Sequence, residues 1–201
     1  SVHGPYSQSW VDEWHRTQVS EHSYYCSDFK FRKGMVSDKN TPAYTLHMAD
    51  GMWLNKSFKN SILQRIAKCE LDGKRYVYSD LGFVLLQQVV EKVTELPMDL
   101  YLAREFYAPM GLQRTMFLPL TKFTKAEIMP TASNDFLRRQ DICGYVHDET
   151  AACMGGVSGN AGLFSTAEEV AKVYQMLLNG GEFNGKRFLS EATCRLFTTE
   201  K

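Results

Sequence analysis

The chain has 201 residues, of which 44% are hydrophobic, and its 23 basic residues balance 23 acidic ones. This length and apolar content suit one sizeable core and do not demand two domains. The balanced charge argues against nucleic acid or an anionic membrane as partner, and favours a small neutral or zwitterionic substrate or a protein. The longest apolar candidate, residues 82–90, is too short to cross a bilayer, so no transmembrane segment is expected.

The first residues of the chain bear on export, and the spacing of its cysteines and histidines bears on disulfides and metal binding. The first residues show neither an initiator Met nor a basic stretch before an apolar one, so we expect any signal peptide to be absent or already removed. The five cysteines are scattered and never paired as Cys-x-x-Cys, which favours buried free thiols over disulfides or zinc. The histidines lack metal-ligand spacing, so no metal and no cofactor is expected.

Residues 1–55 show no sustained helical or strand period. We therefore expect a long, partly extended and irregular surface segment. It is rich in aromatic residues, which predicts that it packs against something. The regular part of the chain is expected to begin at residue 56 and to continue to residue 201.

Four helices are predicted in this second part. The first follows Lys56 and buries an apolar stripe, and it stops at Asp72-Gly73. The second is capped by Ser79 or Asp80, runs from Leu81 to Glu95 and closes before Pro97. A third runs from Met98 to about Tyr107. The stripe of the first helix consists of Phe58, Ile62, Leu63, Ile66 and Leu71.

The middle of the chain, residues 118–144, has little periodicity and is predicted to form loops with at most short elements. A glycine-dense run follows at residues 155–162 and leads into Ser165-Thr166-Ala167-Glu168, which has the pattern of a capping box. The fourth helix is expected from Thr166 to about Asn179. His147 and Asp148 are adjacent, and adjacent residues seldom face each other, so a structural duty is favoured over a hydrolase dyad.

Several blocks of the sequence resemble one known family, in the family's order. They lie at residues 76–86, 89–94, 106–117, 144–149, 155–165 and 175–181. Together they resemble the centre of the class C β-lactamase-like serine hydrolases, the penicillin-binding-protein family, and are most similar to its esterase and D-Ala-D-Ala carboxypeptidase-like branch. The resemblance covers residues 56–201.

The resemblance implies roles for a few residues. The family works by a Ser-x-x-Lys nucleophile, a Tyr-x-Asn or Ser-x-Asn element, and a Lys-Thr-Gly or His-x-Gly strand. Tyr78-Ser79-Asp80 fills the second position, with Asp in place of Asn, which makes Tyr78 and Asp80 the catalytic candidates and Ser79 a substrate-binding candidate. Tyr78 would shuttle a proton. The alternative is an aromatic anchor ahead of a plain helix cap.

Gly159 and Asn160 in the glycine run are the other substrate-binding candidates. Near a catalytic site, such a turn can aim backbone amides at substrate. The alternative is that the glycines serve tight packing before the next helix, and the residue pattern favours this reading.

The other two family elements are not matched. Ser27-x-x-Lys30 is present, but its charged surroundings and Gly34 do not make a buried helix, so we interpret it as coincidence. No Lys-Thr-Gly or His-x-Gly follows Leu189. The resemblance then implies a nucleophile upstream of Ser1 and a strand motif downstream of Lys201.

The resemblance also implies a fold and a setting. The family builds its sheet from the two ends of the chain, so we expect an α-rich α+β structure with an incomplete sheet and few, short strands. The function expected is that of a serine-hydrolase fragment, inactive alone, from an enzyme that cleaves an ester, amide or cell-wall-derived bond through an acyl-enzyme. The alternative is a non-catalytic cell-wall-binding or interaction module on the same fold.

The expected partners follow from these readings. They are a small-molecule or peptidoglycan-derived substrate, and a second copy or the missing part of the domain covering the face where the sheet belongs. The expected location is the bacterial cell envelope or periplasm, with the cytoplasm left open.

Overall fold

The computed structural model describes residues 15–20, 23–27, 31–69 and 78–199, and for the first two ranges it describes the backbone alone. Some sequence predictions lie outside these residues. They include the helix stop at Asp72-Gly73, the apolar position Leu71, and Lys30 of the Ser-x-x-Lys run.

Strands occupy much of the described part of residues 1–55, so this part is extended as expected but more regular than the sequence predicted. The first two strands form an antiparallel hairpin, and the next three form an antiparallel sheet in the order β3-β5-β4. The five strands are β1 (His15–Ser20), β2 (Ser23–Ser27), β3 (Val36–Ser37), β4 (Tyr44–Ala49) and β5 (Met52–Asn55).

The hairpin of β4 and β5 explains why the sequence pattern hid these strands. Ala49 pairs with Met52, so Asp50-Gly51 forms a two-residue turn, in which Gly51 takes a φ of 59° that glycine adopts without steric cost. An Asp-Gly pair between two apolar runs is a hairpin signal. The register shifts twice along β4, and each shift interrupts the alternation that a period of two requires.

Six α-helices are described, and the longer ones match the predicted patterns. Phe58, Ile62 and Ile66 are buried along the first helix, which confirms its apolar stripe. The second helix has the predicted bounds to within one residue, and Glu95 ends it in a left-handed conformation ahead of Pro97. The helices are α1 (Ser57–Ala67), α2 (Leu81–Thr94), α3 (Met98–Leu102), α4 (Glu149–Cys153), α5 (Ala167–Leu178) and α6 (Glu191–Thr198).

The third predicted helix is present but changes type. α3 continues as a π-helix over Ala103–Tyr107, so the predicted end at Tyr107 is confirmed. The chain then turns at Gly111, which has a φ of 72°.

Short elements fill the rest of the described chain. Residues 118–144 contain two 3-10 helices and two short strands, as the sequence predicted for this region. Eleven strands are described in all, none longer than six residues, so strands are short as expected but not few. The remaining pairs are β6 (Met116–Phe117) with β9 (Leu163–Phe164), β7 (Pro130–Ala132) with β8 (Ile142–Cys143), and β10 (Glu182–Phe183) with β11 (Lys186–Arg187).

The start of α5 corrects the predicted capping box. Thr166, rather than Ser165, is the N-cap, and its side chain accepts a hydrogen bond from the amide of Glu169. The carboxylate of Glu169 does not return to the cap. It accepts hydrogen bonds from the amides of Gln113 and Arg114 at 2.7–3.0 Å, because these loop amides need an acceptor when they are covered by the helix.

Two apolar clusters hold the described elements together. The larger one joins the β4–β5 hairpin to α1, α2 and α4, and includes Met48, Leu54, Ile62, Val84 and Cys153, each fully buried. The smaller one joins the residues after the π-helix to α5 through Met110, Leu112 and Met176.

No helix among the described residues has the length and apolar character that a membrane crossing requires. Among the residues whose side chains are described, Cys69, Cys143, Cys153 and Cys194 are free thiols. Cys153 and Cys194 are buried, in line with the prediction for those two.

Candidate functional site

Tyr78, Ser79 and Asp80 lie immediately before α2, where the chain enters the helix. The Tyr78 ring is 75% exposed, and its hydroxyl donates a hydrogen bond to Oδ1 of Asp80 at 3.0 Å. The phenol is therefore reachable from solvent and oriented by a carboxylate. Tyr107, in contrast, is largely covered, and burial raises its pKa to about 12.

Asp80 is the N-cap residue of α2, but its side chain makes no capping hydrogen bond. Oγ of Ser79 instead accepts a hydrogen bond from the amide of Leu81 at 3.3 Å. The Asp80 carboxylate thus remains directed to Tyr78, beside the positive end of the helix dipole, which stabilises negative charge there.

The glycine-dense loop packs directly on the first turns of this helix. A Cβ at Gly159 would lie 2.1 Å from the carbonyl oxygen of Phe83, so only glycine fits. The amide of Gly159 donates to Oε1 of Gln87 at 3.2 Å. Because that amide already has a partner, the geometry supports the packing role that the residue pattern favoured.

Both polar atoms of the Asn160 side-chain amide have hydrogen-bond partners. Its Nδ2 donates to Oδ1 of Asp148 at 3.0 Å, and its Oδ1 accepts from the hydroxyl of Ser158 at 2.6 Å. Asp148 also caps α4 by accepting from the amide of Ala151 at 2.7 Å. The structural duty predicted for the His147-Asp148 pair is thereby confirmed for Asp148.

A buried ion pair supports the segment that carries Asp148. Arg138 and Asp135 are paired at 2.6 Å with both side chains sealed from solvent. The Arg138 guanidinium also donates to the carbonyl oxygens of Val146 and His147, each at 2.6 Å. Burial pushes the pKa of Asp135 upward, but the hydrogen bonds and charge of Arg138 outweigh it and hold that pKa below its ordinary value.

Sequence reasoning missed the residues that position this site: Gln87, Asp135, Arg138 and Ser158. Gln87 is 1% exposed, and it joins the glycine loop to α2 through Gly159 and the carbonyl oxygen of Val157. A polar residue on the core-facing side of an apolar helical run was the available signal for Gln87. The ion pair gave no such signal, because its further hydrogen-bond partners are the backbone carbonyl groups of Val146 and His147, which have no residue-type pattern.

The arrangement brings some of the predicted residues together and leaves others apart. Tyr78, Ser79 and Asp80 stand at the mouth of α2, and Gly159 packs one turn further along, with Asn160 beside it. Ser27 is the last residue of β2, where it pairs with His15. It therefore lies in a strand and does not begin a helix. Among the described residues, no group of three or more His, Cys, Asp or Glu side chains is placed to hold a metal ion.

Comparisons with known proteins give the family. The family model described as Beta-lactamase matches residues 20–201, so the match begins well before residue 56, where the sequence resemblance started. Among curated proteins, the chain is similar to proteins named "Putative D-alanyl-D-alanine carboxypeptidase" from Salmonella agona (strain SL483), 34% identical, and Salmonella schwarzengrund (strain CVM19633), 35% identical. Each match covers 172 residues, 78% of this chain and 40% of the relative, so the chain spans about two fifths of their length.

Two solved structures are also similar. One is the octameric penicillin-binding protein homologue from Pyrococcus abyssi, with 20% identity and a TM-score of 0.47 over 65% of this chain and 27% of that one. The other is the D-amino acid amidase from Ochrobactrum anthropi SV3, with 18% identity and a TM-score of 0.47 over 80% of this chain and 47% of that one. The family-model match covers most of the sequence, and the chain therefore belongs to the Beta-lactamase family.

Proposed function

We propose that this chain forms the helical part and one wall of an acyl-transfer site in a serine hydrolase, and that it is inactive by itself. The exposed phenol of Tyr78, held by Asp80 where α2 begins, is the observation that carries the proposal. A phenol so placed can take a proton from a nucleophile and pass it to a leaving group. The bond cleaved is an ester, an amide or a peptidoglycan-derived bond, and the names of the Salmonella relatives favour a D-alanyl-D-alanine peptide.

Each candidate residue has a proposed part in this site. Tyr78 handles the proton, and Asp80 orients the phenol and accepts hydrogen bonds from a lysine or a substrate amide. Ser79, Gly159 and Asn160 form the substrate-facing wall. Because the polar groups of Gly159 and Asn160 are already paired with Gln87 and Asp148, we propose that they act through the shape of that wall.

Activity of the complete gene product tests the role of Tyr78. Hydrolysis of a D-alanyl-D-alanine peptide and of a nitrophenyl ester should fall about 10²–10⁴-fold in kcat for Tyr78→Phe, the range for loss of a general acid–base group. The matched control is Tyr174→Phe, which removes the hydroxyl of a tyrosine that is 63% exposed on α5. Equal rates for Tyr78→Phe and the unmodified protein would remove the catalytic role.

Labelling of the 201-residue chain tests its inactivity. A fluorescent penicillin acylates an activated serine, and a fluorophosphonate phosphonylates one. We expect neither reagent to label this chain. Stable labelling at Ser27 would show that the chain carries its own nucleophile.

A non-catalytic binding module is the second candidate function. The observation in its favour is that the Gly159 amide and the Asn160 side chain already have partners within the protein. A complete gene product that retains peptidoglycan binding but hydrolyses neither substrate would favour this candidate.

We also propose a cellular location for this chain and a surface through which it associates. The names of the relatives favour the bacterial cell envelope or periplasm. The outer face of α2 supports self-association or docking of further parts of the domain, because it exposes Leu85, Leu86, Val89 and Val93. Sedimentation over a range of protein concentrations measures the self-association.

A further inference from the structure

A cleft of about 320 Å³ opens between β7 and β9. Tyr78, Ser79 and Asp80 do not line it, so it is not part of the candidate acyl-transfer site. Ligand pockets in proteins span about 300–1,000 Å³, and this cleft lies at the lower end of that range. It therefore suits a ligand of about the size of an amino acid or a dipeptide.

Apolar side chains of the cleft remain open to solvent. Met129 is 84% exposed and Leu163 is 49% exposed, and both line the cleft together with Phe123. Large apolar side chains that stay exposed at one place on a surface indicate that another molecule covers them. The cleft therefore offers contacts to the apolar side chains of a ligand.

Arg114 brings a cationic group to the same cleft. Its guanidinium lies over the ring of Phe123, with the central carbon Cζ 5.0 Å from the ring centroid. Such stacking occupies the flat face of the guanidinium and leaves the N–H groups at its edge available. Within the described part of the chain, these N–H groups form no hydrogen bond or ion pair, so they can donate to a carboxylate.

Glu127 brings a carboxylate to the cleft. Its Oε2 accepts hydrogen bonds from the amide and the hydroxyl of Thr124 at 3.0 and 2.9 Å, which fixes the side chain. These hydrogen bonds, with a smaller effect of the Arg114 charge, hold the pKa of Glu127 below its ordinary value, so the group is ionised at neutral pH. Glu127 and Arg114 form no ion pair with each other, and no described residue donates a hydrogen bond to Oε1 of Glu127.

Ser165 adds an uncharged acceptor. The hydroxyl of Thr115 donates its single proton to Oε2 of Glu169 at 2.6 Å. Ser165 Oγ lies 2.7 Å from Thr115 Oγ1, so Ser165 must be the donor in that hydrogen bond. The lone pairs of Ser165 Oγ are therefore available at the cleft.

The walls of the cleft are held in place by contacts within the protein. The Thr131 hydroxyl on β7 lies 3.1 Å from the carbonyl oxygen of Ile142 and 2.8 Å from that of Tyr145, to which it donates. On the other side, β9 is paired with β6 through Leu163 and Phe117. The cleft therefore exists before any ligand arrives, which lowers the ordering cost of binding.

We propose that this cleft binds a small zwitterion with apolar side chains, that is, an amino acid or a dipeptide. The ligand carboxylate accepts charge-assisted hydrogen bonds from Arg114. The ligand ammonium group donates to Glu127 and Ser165, and the apolar side chains of the ligand cover Met129 and Leu163. A ligand with a single charge would leave one of the two protein charges without a partner.

Calorimetric titration of the 201-residue chain with L-leucyl-L-leucine and with L-leucine tests the site. We expect saturable binding that weakens as salt is added, because charge contacts in an open cleft are screened. The ligand that binds more tightly shows whether the site takes a dipeptide or an amino acid. N-acetyl-leucyl-leucine lacks the ammonium group and leucyl-leucinamide lacks the carboxylate, so each should bind about tenfold more weakly than the dipeptide, the loss typical of one hydrogen bond to a charged group.

Two variants assign each end of the ligand to one protein charge. Arg114→Gln should weaken leucyl-leucine binding about tenfold and leave the affinity for leucyl-leucinamide unchanged, because the amide has no carboxylate for Arg114 to meet. Glu127→Gln should weaken leucyl-leucine binding to the same extent and leave the affinity for N-acetyl-leucyl-leucine unchanged. Arg104→Gln is the matched control, since it removes the same charge from an exposed position outside the cleft, and it should change binding less than twofold.

Far-UV circular dichroism and the thermal midpoint separate a lost site from a lost fold. Both should change little in Arg114→Gln and Glu127→Gln, because the two side chains are exposed. The proposal would be overturned if neither leucine nor leucyl-leucine bound. Equal affinities for leucyl-leucine and its two blocked forms would also overturn it, as would equal losses in Arg114→Gln and Arg104→Gln.

Discussion

Gly159 marks the closest approach of the glycine loop to α2, and its substitution shows how tightly the two are packed. Gly159→Ala places a methyl group 2.1 Å from the carbonyl oxygen of Phe83 and should destabilise the fold by about 1–3 kcal/mol, as overpacking does. Gly82→Ala is the matched control on the same helix, where a Cβ meets nothing within 4 Å.

For Gly82→Ala we expect a gain of about 0.5–1 kcal/mol, because alanine is the better helix former. Urea unfolding midpoints measure both variants. A Gly159→Ala protein as stable as the unmodified chain would mean that the loop does not rest on α2.

At the scale of single elements, the N-cap of α5 is Thr166, one residue after the Ser165 that the sequence pattern predicted. Glu169→Gln replaces a carboxylate that accepts hydrogen bonds from two backbone amides and from the hydroxyl of Thr115 at 2.6 Å. Hydrogen bonds to a charged group are worth about 1.5–3 kcal/mol, so we expect a loss of that order in the free energy of unfolding.

The neighbouring Glu168 is the control for this prediction. It is exposed and pairs with Lys172 one turn away, an arrangement worth about 0.2–0.5 kcal/mol. Glu168→Gln should therefore lower the urea midpoint only slightly. If the two variants lose equal stability, the capping box at Ser165 and Glu168 would have to be reconsidered.

At the scale of the whole molecule, the Asp135–Arg138 pair ties a long loop to the segment that holds Asp148. Asp135→Asn leaves the Arg138 charge buried without its partner and should cost about 3–5 kcal/mol at pH 7. The pKa of Asp135 is depressed in the folded protein. Its contribution is therefore present above the ordinary carboxyl pKa of about 3.9 and is lost as the pH falls through the folded value.

Urea unfolding at pH 7 and at pH 3 measures this effect. The unmodified chain should lose more stability on acidification than Asp135→Asn, which has no carboxylate to protonate at that position. Asp38→Asn, at an exposed position, should behave as the unmodified chain does. A stability difference between Asp135→Asn and the unmodified chain that does not shrink with falling pH would contradict the assigned role.

The sequence by itself determined the family and four of the six described helices, but it gave no prediction of α4 or α6. The stripe of Phe58, Ile62 and Ile66, and the stops at Glu95 and Pro97, are local signals, because helical periodicity and caps depend on residues within a few positions of each other. The blocks around Tyr78 and the glycine run carried the resemblance to the Beta-lactamase family, which the family model confirms.

Only the tertiary structure decided the strands before α1, the cap of α5 and the contacts that support the candidate site. The β4–β5 hairpin is stable because Met48 and Leu54 are buried in a core shared with α1 and α2, and two register shifts conceal its period. Gln87 meets Gly159 across 72 positions of sequence. Such pairings depend on how buried polar groups find partners once distant segments pack, and no local pattern encodes that choice.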